Sequence, residues 1–140
     1  MNLVKNDIIK LNITSATAEG NGVGKTEDGI AVFVPLSAVG DELEVRILKT
    51  KKTYAFGKIE NIITPSPSRI EADCPQFSKC GGCTWRHISY DEELNIKSQR
   101  VYDAVTRIGG IKDFDFKDII GCANPDRYRN KAQFPIGKDK

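Results

Sequence analysis

The sequence predicts a mainly β chain that turns α+β: a small closed barrel, then a cysteine-rich segment with one helix, then the start of a mixed α/β region. Three observations predict it. The first 64 residues hold short runs in which apolar and polar side chains alternate, the period of half-buried strands. A seam, "TPSPSRIEAD", packs two prolines and three hydroxyl residues into positions 64 to 68, which no strand ladder tolerates. Beyond it, three of the four cysteines fall within residues 74 to 83.

The barrel elements follow in order. In "IIKLNIT", Ile9, Leu11 and Ile13 alternate with Lys10, Asn12 and Thr14. "EDG" at Glu27 to Gly29 supplies a hairpin-type turn. "IAVFVP" is rich in β-branched and aromatic residues, and Pro35 stops it. "VGDELEVRI" starts from a Gly-Asp turn and sets Leu43, Val45 and Ile47 on one face. "TYAFGKIENII" is the last strand. So many short strands in so few residues favour a closed barrel, because closure hides the edges.

"EGNGVGKT" imitates a phosphate-binding loop and fails as one. Glu19 occupies the position of the first glycine in that pattern. The run also leads into a turn, so no helix N-terminus faces a phosphate. Its glycines are expected to let the chain bend between barrel strands.

After the cysteines, "SYDEELNIKSQRVYDAVTRIGG" reads as a helix. Ser89 and Glu92 make a capping box, and Gly109 with Gly110 ends the run. Tyr90, Leu94, Val101, Val105 and Ile108 share a face that is expected to pack against a neighbour. A final strand is expected from Tyr128, with Asn130, Ala132, Phe134 and Ile136 alternating against Arg127, Arg129, Lys131 and Gln133. The domain boundaries are therefore 1–64, 65–110 and 111–140, the last a truncated beginning.

Composition narrows the functional classes. Hydrophobic residues are 39% of the chain and charged residues 29%, the balance of a globular protein. No apolar run reaches the ~20 residues of a membrane span, and no signal peptide is read at the N-terminus, so no membrane contact and a cytoplasmic location are expected. Residues 1–64 carry eight basic and eight acidic side chains, and residues 65–140 carry thirteen and eleven. Nucleic-acid contacts must then come from local clusters.

In a reducing compartment, clustered cysteines point to metal, cluster or redox chemistry. The spacing here is C-x(5)-C-x(2)-C, with Cys80-Gly81-Gly82-Cys83 able to chelate one centre. Four readings stay open: a [4Fe–4S] cluster with a fourth ligand elsewhere, a Cys3His zinc site completed by His87, a redox disulfide between Cys80 and Cys83, or thiols with no shared partner.

"CPQFSKCGGCTWRHISYDEELNIKSQRVYDAVTRIGG" resembles the iron–sulfur segment of bacterial RNA uracil methyltransferases of the RumA type, with His87, Tyr90 and Lys97 at matching places. "YRNKAQFPIG" from Tyr128 resembles a strand of the same family, and residues 1–64 resemble its OB-like TRAM barrel, most strongly in "NGVGKTEDGIAVFVPLSAVGDELEVRI". The resemblance implies an enzyme that methylates carbon 5 of uracil in ribosomal RNA with S-adenosylmethionine. It implies a [4Fe–4S] cluster on Cys74, Cys80 and Cys83, with the fourth ligand beyond Lys140 and Cys122 in a turn. His87 would then face RNA or support the cluster. The catalytic domain would lie outside this chain, which supplies no catalytic residue. The alternative is a non-enzymatic RNA-binding module with the Cys3His zinc site.

RNA would be gripped at two places, by a monomer. In "RILKTKKTYAFGK", Arg46, Lys49, Lys51, Lys52 and Lys58 surround Tyr54 and Phe56, phosphate-pairing cations around base-stacking rings. Arg127, Arg129 and Lys131 form a second stripe on the expected last strand. Trp85 and Arg86, just after Cys83, contact RNA, or else Trp85 packs over the cluster and shields it.

Overall fold

The computed structural model describes residues 3–134 and 136–138. Six strands come first: β1 (Ile8–Asn12), β2 (Ser15–Ala16), β3 (Gly22–Lys25), β4 (Ala31–Val34), β5 (Glu42–Thr50) and β6 (Tyr54–Thr64). They form one sheet in the order β1-β5-β6-β4-β3-β2. All neighbours are antiparallel except β4 and β6, which run parallel. The two ends of the sheet, β1 and β2, are consecutive pieces of chain. Between them Ile13 N donates to Asp41 O at 2.9 Å and Thr14 N to Val23 O at 2.9 Å. The first segment therefore bends from one edge of the sheet to the other, and the sheet curls round its core. Register shifts between Glu42 and Leu43, Glu44 and Val45, and Ile47 and Lys49 mark bulges in β5, the device that gives a short sheet this curvature.

The alternation sets the inside. Leu11, Ile13, Val32, Val34, Leu43, Val45, Ile47 and Ala55 form the buried cluster, with Ile9, Ile59 and Ile62 packed against it. The run "EDG" makes the β3–β4 turn, in which Gly29 N donates to Thr26 O at 2.8 Å. β4 ends at Val34, ahead of Pro35. The glycine run that imitates a phosphate loop forms the β2–β3 turn and β3 itself.

After the seam come one short helical turn, α1 (Phe77–Cys80), and a longer helix, α2 (Tyr90–Asp103), which continues as a π-helical turn over Ala104–Ile108. Ser89 caps α2, its hydroxyl accepting from Glu92 N at 3.3 Å. Only this half of the capping box forms, because Ser89 N donates instead to Ser68 O at 2.8 Å. Among the described residues no helix is long and apolar enough to cross a membrane.

Two expectations change here. α2 buries none of its residues, and Ile108, at the end of the expected apolar face, is 88% exposed. The face exists but has little to pack against; near its N-terminal end Gly121 comes close to Leu94 and Tyr90. The second correction concerns the C-terminal strand. Between Ile111 and Lys138 the described residues form neither helix nor strand, and Tyr128, Phe134 and Ile136 stand exposed. A strand needs a ladder partner for its backbone groups, and among the described residues no neighbouring strand offers one. Met1, Asn2, Pro135, Asp139 and Lys140, within the outer expected domains, lie outside the described residues.

Candidate functional site

The β4–β6 pairing builds an aromatic face on the outside of the barrel. Val32 pairs with Ala55 on the core side, so Phe33, Tyr54 and Phe56 point outward. Their rings pack together: Phe33 to Tyr54 at 5.8 Å and Tyr54 to Phe56 at 5.5 Å, both edge-on, and Phe33 to Phe56 at 5.7 Å, tilted. Phe56 remains 39% exposed. Lys49 lies opposite Phe56 in the β5–β6 ladder, and Lys51 and Lys52 sit at the exposed tip of that hairpin. The structure thus brings Lys49, Lys51, Lys52, Tyr54 and Phe56 to one end of one hairpin.

Arg46 and Lys58 face each other further along it, but Arg46 is already engaged. Its Nε and Nη2 donate to the two oxygens of Glu60 at 2.8 Å each. The Glu60 carboxyl is held below its usual range by that hydrogen bonding first, and by the Arg46 and Lys58 charges, against some desolvation. Phe33 does not stand out in the sequence. It reads as a core residue of an apolar run, and only the inward Val32 and Val34 reveal that it points outward.

The cysteine loop stands on the barrel by a buried polar joint. Asp41, in the β4–β5 connection, has its side chain wholly buried. Arg69 Nε donates to Asp41 Oδ1 at 3.1 Å and Arg69 Nη2 to Oδ2. Ala38 N donates to Oδ2 at 2.7 Å and Ser66 N to Oδ1 at 2.8 Å. Burial alone would raise the Asp41 carboxyl, yet the Arg69 and backbone hydrogen bonds and the Arg69 charge hold it below the usual range. Arg69 Nη2 also reaches Leu36 O at 3.1 Å. Beside this joint Ile70 N donates to His87 O at 3.0 Å. Gly20, at φ +93°, lets the loop approach the β2–β3 turn: a Cβ there would lie 2.2 Å from Thr84 Cγ2.

His87 belongs to this joint, which corrects the RNA-facing one of its two expected roles. It is 5% exposed, and its Nε2 lies 3.0 Å from Ser37 O. A carbonyl only accepts, so Nε2 carries the proton and Nδ1 is a bare acceptor. Nδ1 has no hydrogen-bond partner among the described residues. The ring is stacked between Phe77 at 5.5 Å and Trp85 at 6.3 Å. Burial, and then the Arg69 charge, push its pKa below the usual imidazole range, against the Ser37 bond and the Asp41 charge. A ring held this way is a packing element, and the Cys3His arrangement would need it pulled from the barrel. Trp85 is half-buried against it.

Cys74, Cys80 and Cys83 are exposed free thiols around α1. Phe77 N donates to Cys74 O at 3.1 Å, and Cys80 N to Gln76 O at 2.8 Å. Gly81 ends the turn in the left-handed conformation. A Cβ at Gly82 would stand 3.3 Å from Cys80 Sγ, so the glycine keeps that sulfur open. Among the described residues no three His, Cys, Asp or Glu side chains are gathered as a metal-holding set. The donor set still fits an iron–sulfur group by its chemistry: three soft thiols on one loop, without disulfides and open to solvent. Cys122 lies elsewhere, in the tail; its N–H donates to Tyr90 OH at 2.9 Å and its thiol to Asn124 O at 3.1 Å.

Arg86 is turned to two carboxylates. It grips Asp73 with Nε at 2.7 Å and Nη2 at 2.8 Å, and its Nη1 reaches Asp126 at 2.6 Å. Arg127, Arg129 and Lys131 are exposed, and without a strand beneath them the alternation that would align them on one face does not apply. Arg127 adopts φ +56°.

Residues 5–59 match the TRAM domain. A protein of Clostridium tetani named as an uncharacterized RNA methyltransferase is 48% identical over 136 residues, 97% of this chain and 29% of that protein. One of Halalkalibacterium halodurans with the same description is 45% identical over 134 residues, 96% of this chain and 29% of that protein. This chain is similar to those RNA methyltransferases along nearly its whole length. A crystal structure of the Pyrococcus abyssi tRNA (uracil-54, C5)-methyltransferase with S-adenosyl-L-homocysteine overlaps at a TM-score of 0.44, with 28% identity, over 73% of this chain and 22% of that one. The chain spans 29% of the length of these bacterial relatives. Its TRAM match ends within β6, so kinship with the relatives extends well past the barrel, through the cysteine loop and α2.

Proposed function

We propose that this chain is the RNA-holding part of an enzyme that transfers a methyl group from S-adenosylmethionine to carbon 5 of uracil in ribosomal RNA. The observation that carries the reading is the 48% identity to an RNA methyltransferase along 97% of the chain. The choice of uracil carbon 5, and of ribosomal RNA, rests on the resemblance of the C-x(5)-C-G-G-C run and its flanks to RumA-type enzymes. S-adenosylmethionine and the catalytic groups belong to the part of the relatives' length that this chain does not match.

On this reading the barrel offers its outer β4–β6 face. Phe56 and the neighbouring rings accept an unstacked base, while Lys49, Lys51 and Lys52 neutralise phosphates. That suits a reaction whose target base must leave its stack. Arg127, Arg129 and Lys131 add positive charge on the tail. Cys74, Cys80 and Cys83 would hold a [4Fe–4S] cluster, which when bound supplies a structural staple rather than electrons, since methyl transfer needs no net redox change. The chain's own residues do the rest: the Asp41–Arg69 joint and His87 fix the loop on the barrel.

Disrupting the gene and mapping 5-methyluridine in total RNA tests the reading. Loss of the base from ribosomal RNA at a defined site is expected. Intact ribosomal 5-methyluridine, with the loss confined to transfer RNA, would overturn the ribosomal assignment. The full-length enzyme purified without oxygen is expected to be brown; a colourless preparation that carries zinc would overturn the cluster.

A further inference from the structure

We propose that Arg86 is a positioning residue that closes the cysteine loop at its base and so presets that loop, whose thiols are not yet gathered, for a metal centre. The second half of the inference rests on the cluster reading above; the first half stands on the geometry alone.

Asp73 immediately precedes the first cysteine, and Arg86 follows the third by three residues. Arg86 grips both oxygens of Asp73, with Nε to Oδ1 at 2.7 Å and Nη2 to Oδ2 at 2.8 Å. This paired geometry fixes orientation as well as distance. It joins the two ends of a loop that holds Cys74, Cys80 and Cys83 and no other cysteine. The Asp73 carboxyl is held below its usual range by these hydrogen bonds first. The remaining arm of Arg86, Nη1, ties Asp126 of the tail to the same point at 2.6 Å.

The pinch is separate from the barrel joint. The barrel holds the loop's feet at Arg69 and His87, which are tied to each other through Ile70 N and His87 O, whereas Arg86 joins the two arms of the loop between those feet and the thiols. An exposed ion pair adds little to global stability. Its effect is local: loop-closure entropy is already spent when a metal arrives. A lysine supplies one point charge and cannot hold both Asp73 oxygens and Asp126 in fixed directions.

The test compares R86Q, R86K and D73N with D126N, each in the full 140-residue chain with metal removed and oxygen excluded. The first readout is amide hydrogen exchange. Phe77, Lys79 and Cys80 amides are expected to exchange several times faster in R86Q, R86K and D73N, with little change in D126N and none at Val45 or Ile47 in the barrel. The second is cobalt(II) titration followed by thiolate-to-cobalt absorption. The dissociation constant is expected to rise about tenfold or more in R86Q and D73N, the usual effect of losing a group that supports metal ligands. Wild-type exchange in R86Q overturns the clamp. Faster exchange with unchanged cobalt affinity overturns the presetting. A wild-type chain that gives no thiolate absorption with cobalt counts against the cluster reading and the presetting together, and exchange then still decides whether Arg86 orders the loop.

Discussion

Asp41 and Arg69 are paired where the barrel meets the cysteine segment, one side chain wholly buried and the other partly exposed. The pair joins a turn of the sheet to the seam itself. Asp41 also accepts the Ala38 and Ser66 amides, so one carboxylate satisfies donors from three places in the chain.

Removing that carboxylate strands the Arg69 charge and two buried amides. D41A is expected to lower unfolding free energy by roughly 3–5 kcal/mol, the cost of breaking a buried pair from one side, measured by urea denaturation. D41N keeps an acceptor for an amide and should lose less. A loss in D41A below about 1 kcal/mol, the scale of an exposed pair, would show that the joint is solvated.

The same joint predicts acid sensitivity in two windows. The folded His87 pKa lies below its unfolded value of about 6.5. The unfolded chain therefore binds the proton first, and stability falls as pH drops from about 6.5 towards that lower value. Asp41 is likewise depressed, so its contribution is complete above the unfolded value of about 3.9 and is lost as pH falls further. H87Q can still donate to Ser37 O but does not titrate. Its urea midpoint should be flat through the upper window and share the wild-type fall in the lower one. An H87Q profile that parallels wild type throughout would assign the upper window to another group.

Much of the barrel is legible in the sequence because its physics is local. The alternation that names Leu43, Val45 and Ile47 is the alternation that buries them. Pro35 and the Glu27–Gly29 turn sit where strands stop. The joint is not legible this way. Asp41 and Arg69 are 28 residues apart, and nothing in their neighbours announces the pairing. His87 misleads for the same reason, since a lone histidine beside cysteines looks like a ligand until Ser37, fifty residues earlier, claims its proton. The expected strand from Tyr128 shows the opposite failure. Its alternation is clear, but a pattern alone supplies no partner ladder. The aromatic face is half legible: Tyr54 and Phe56 stand out beside lysines, while Phe33 is disguised in an apolar run.

Gly20 makes a local claim of the same kind. Its φ of +93° and the approach of Thr84 leave no room for a side chain. G20V is expected to push Thr84 away and loosen the cysteine loop while the barrel core persists. Limited proteolysis between residues 71 and 84 reads this directly. Faster cleavage there, with barrel fragments intact, is the expected result; an unchanged cleavage pattern would mean that Gly20 does not position the loop.

The aromatic face predicts how RNA binding divides between rings and charges. F56A should weaken binding to single-stranded RNA by about 1–3 kcal/mol, the value of one stacked base, with little change in its salt dependence. K49Q should act in the other way, lowering the slope of log affinity against log salt by about 1. R46Q should lower the slope less than K49Q, because Arg46 is already held by both oxygens of Glu60. Fluorescence anisotropy with a labelled oligonucleotide across a range of salt separates the three. Equal slopes for K49Q and wild type would move the phosphate track off this hairpin. An F56A chain with wild-type affinity would mean that no base rests on the β4–β6 face, and that its three rings serve only to pack against one another.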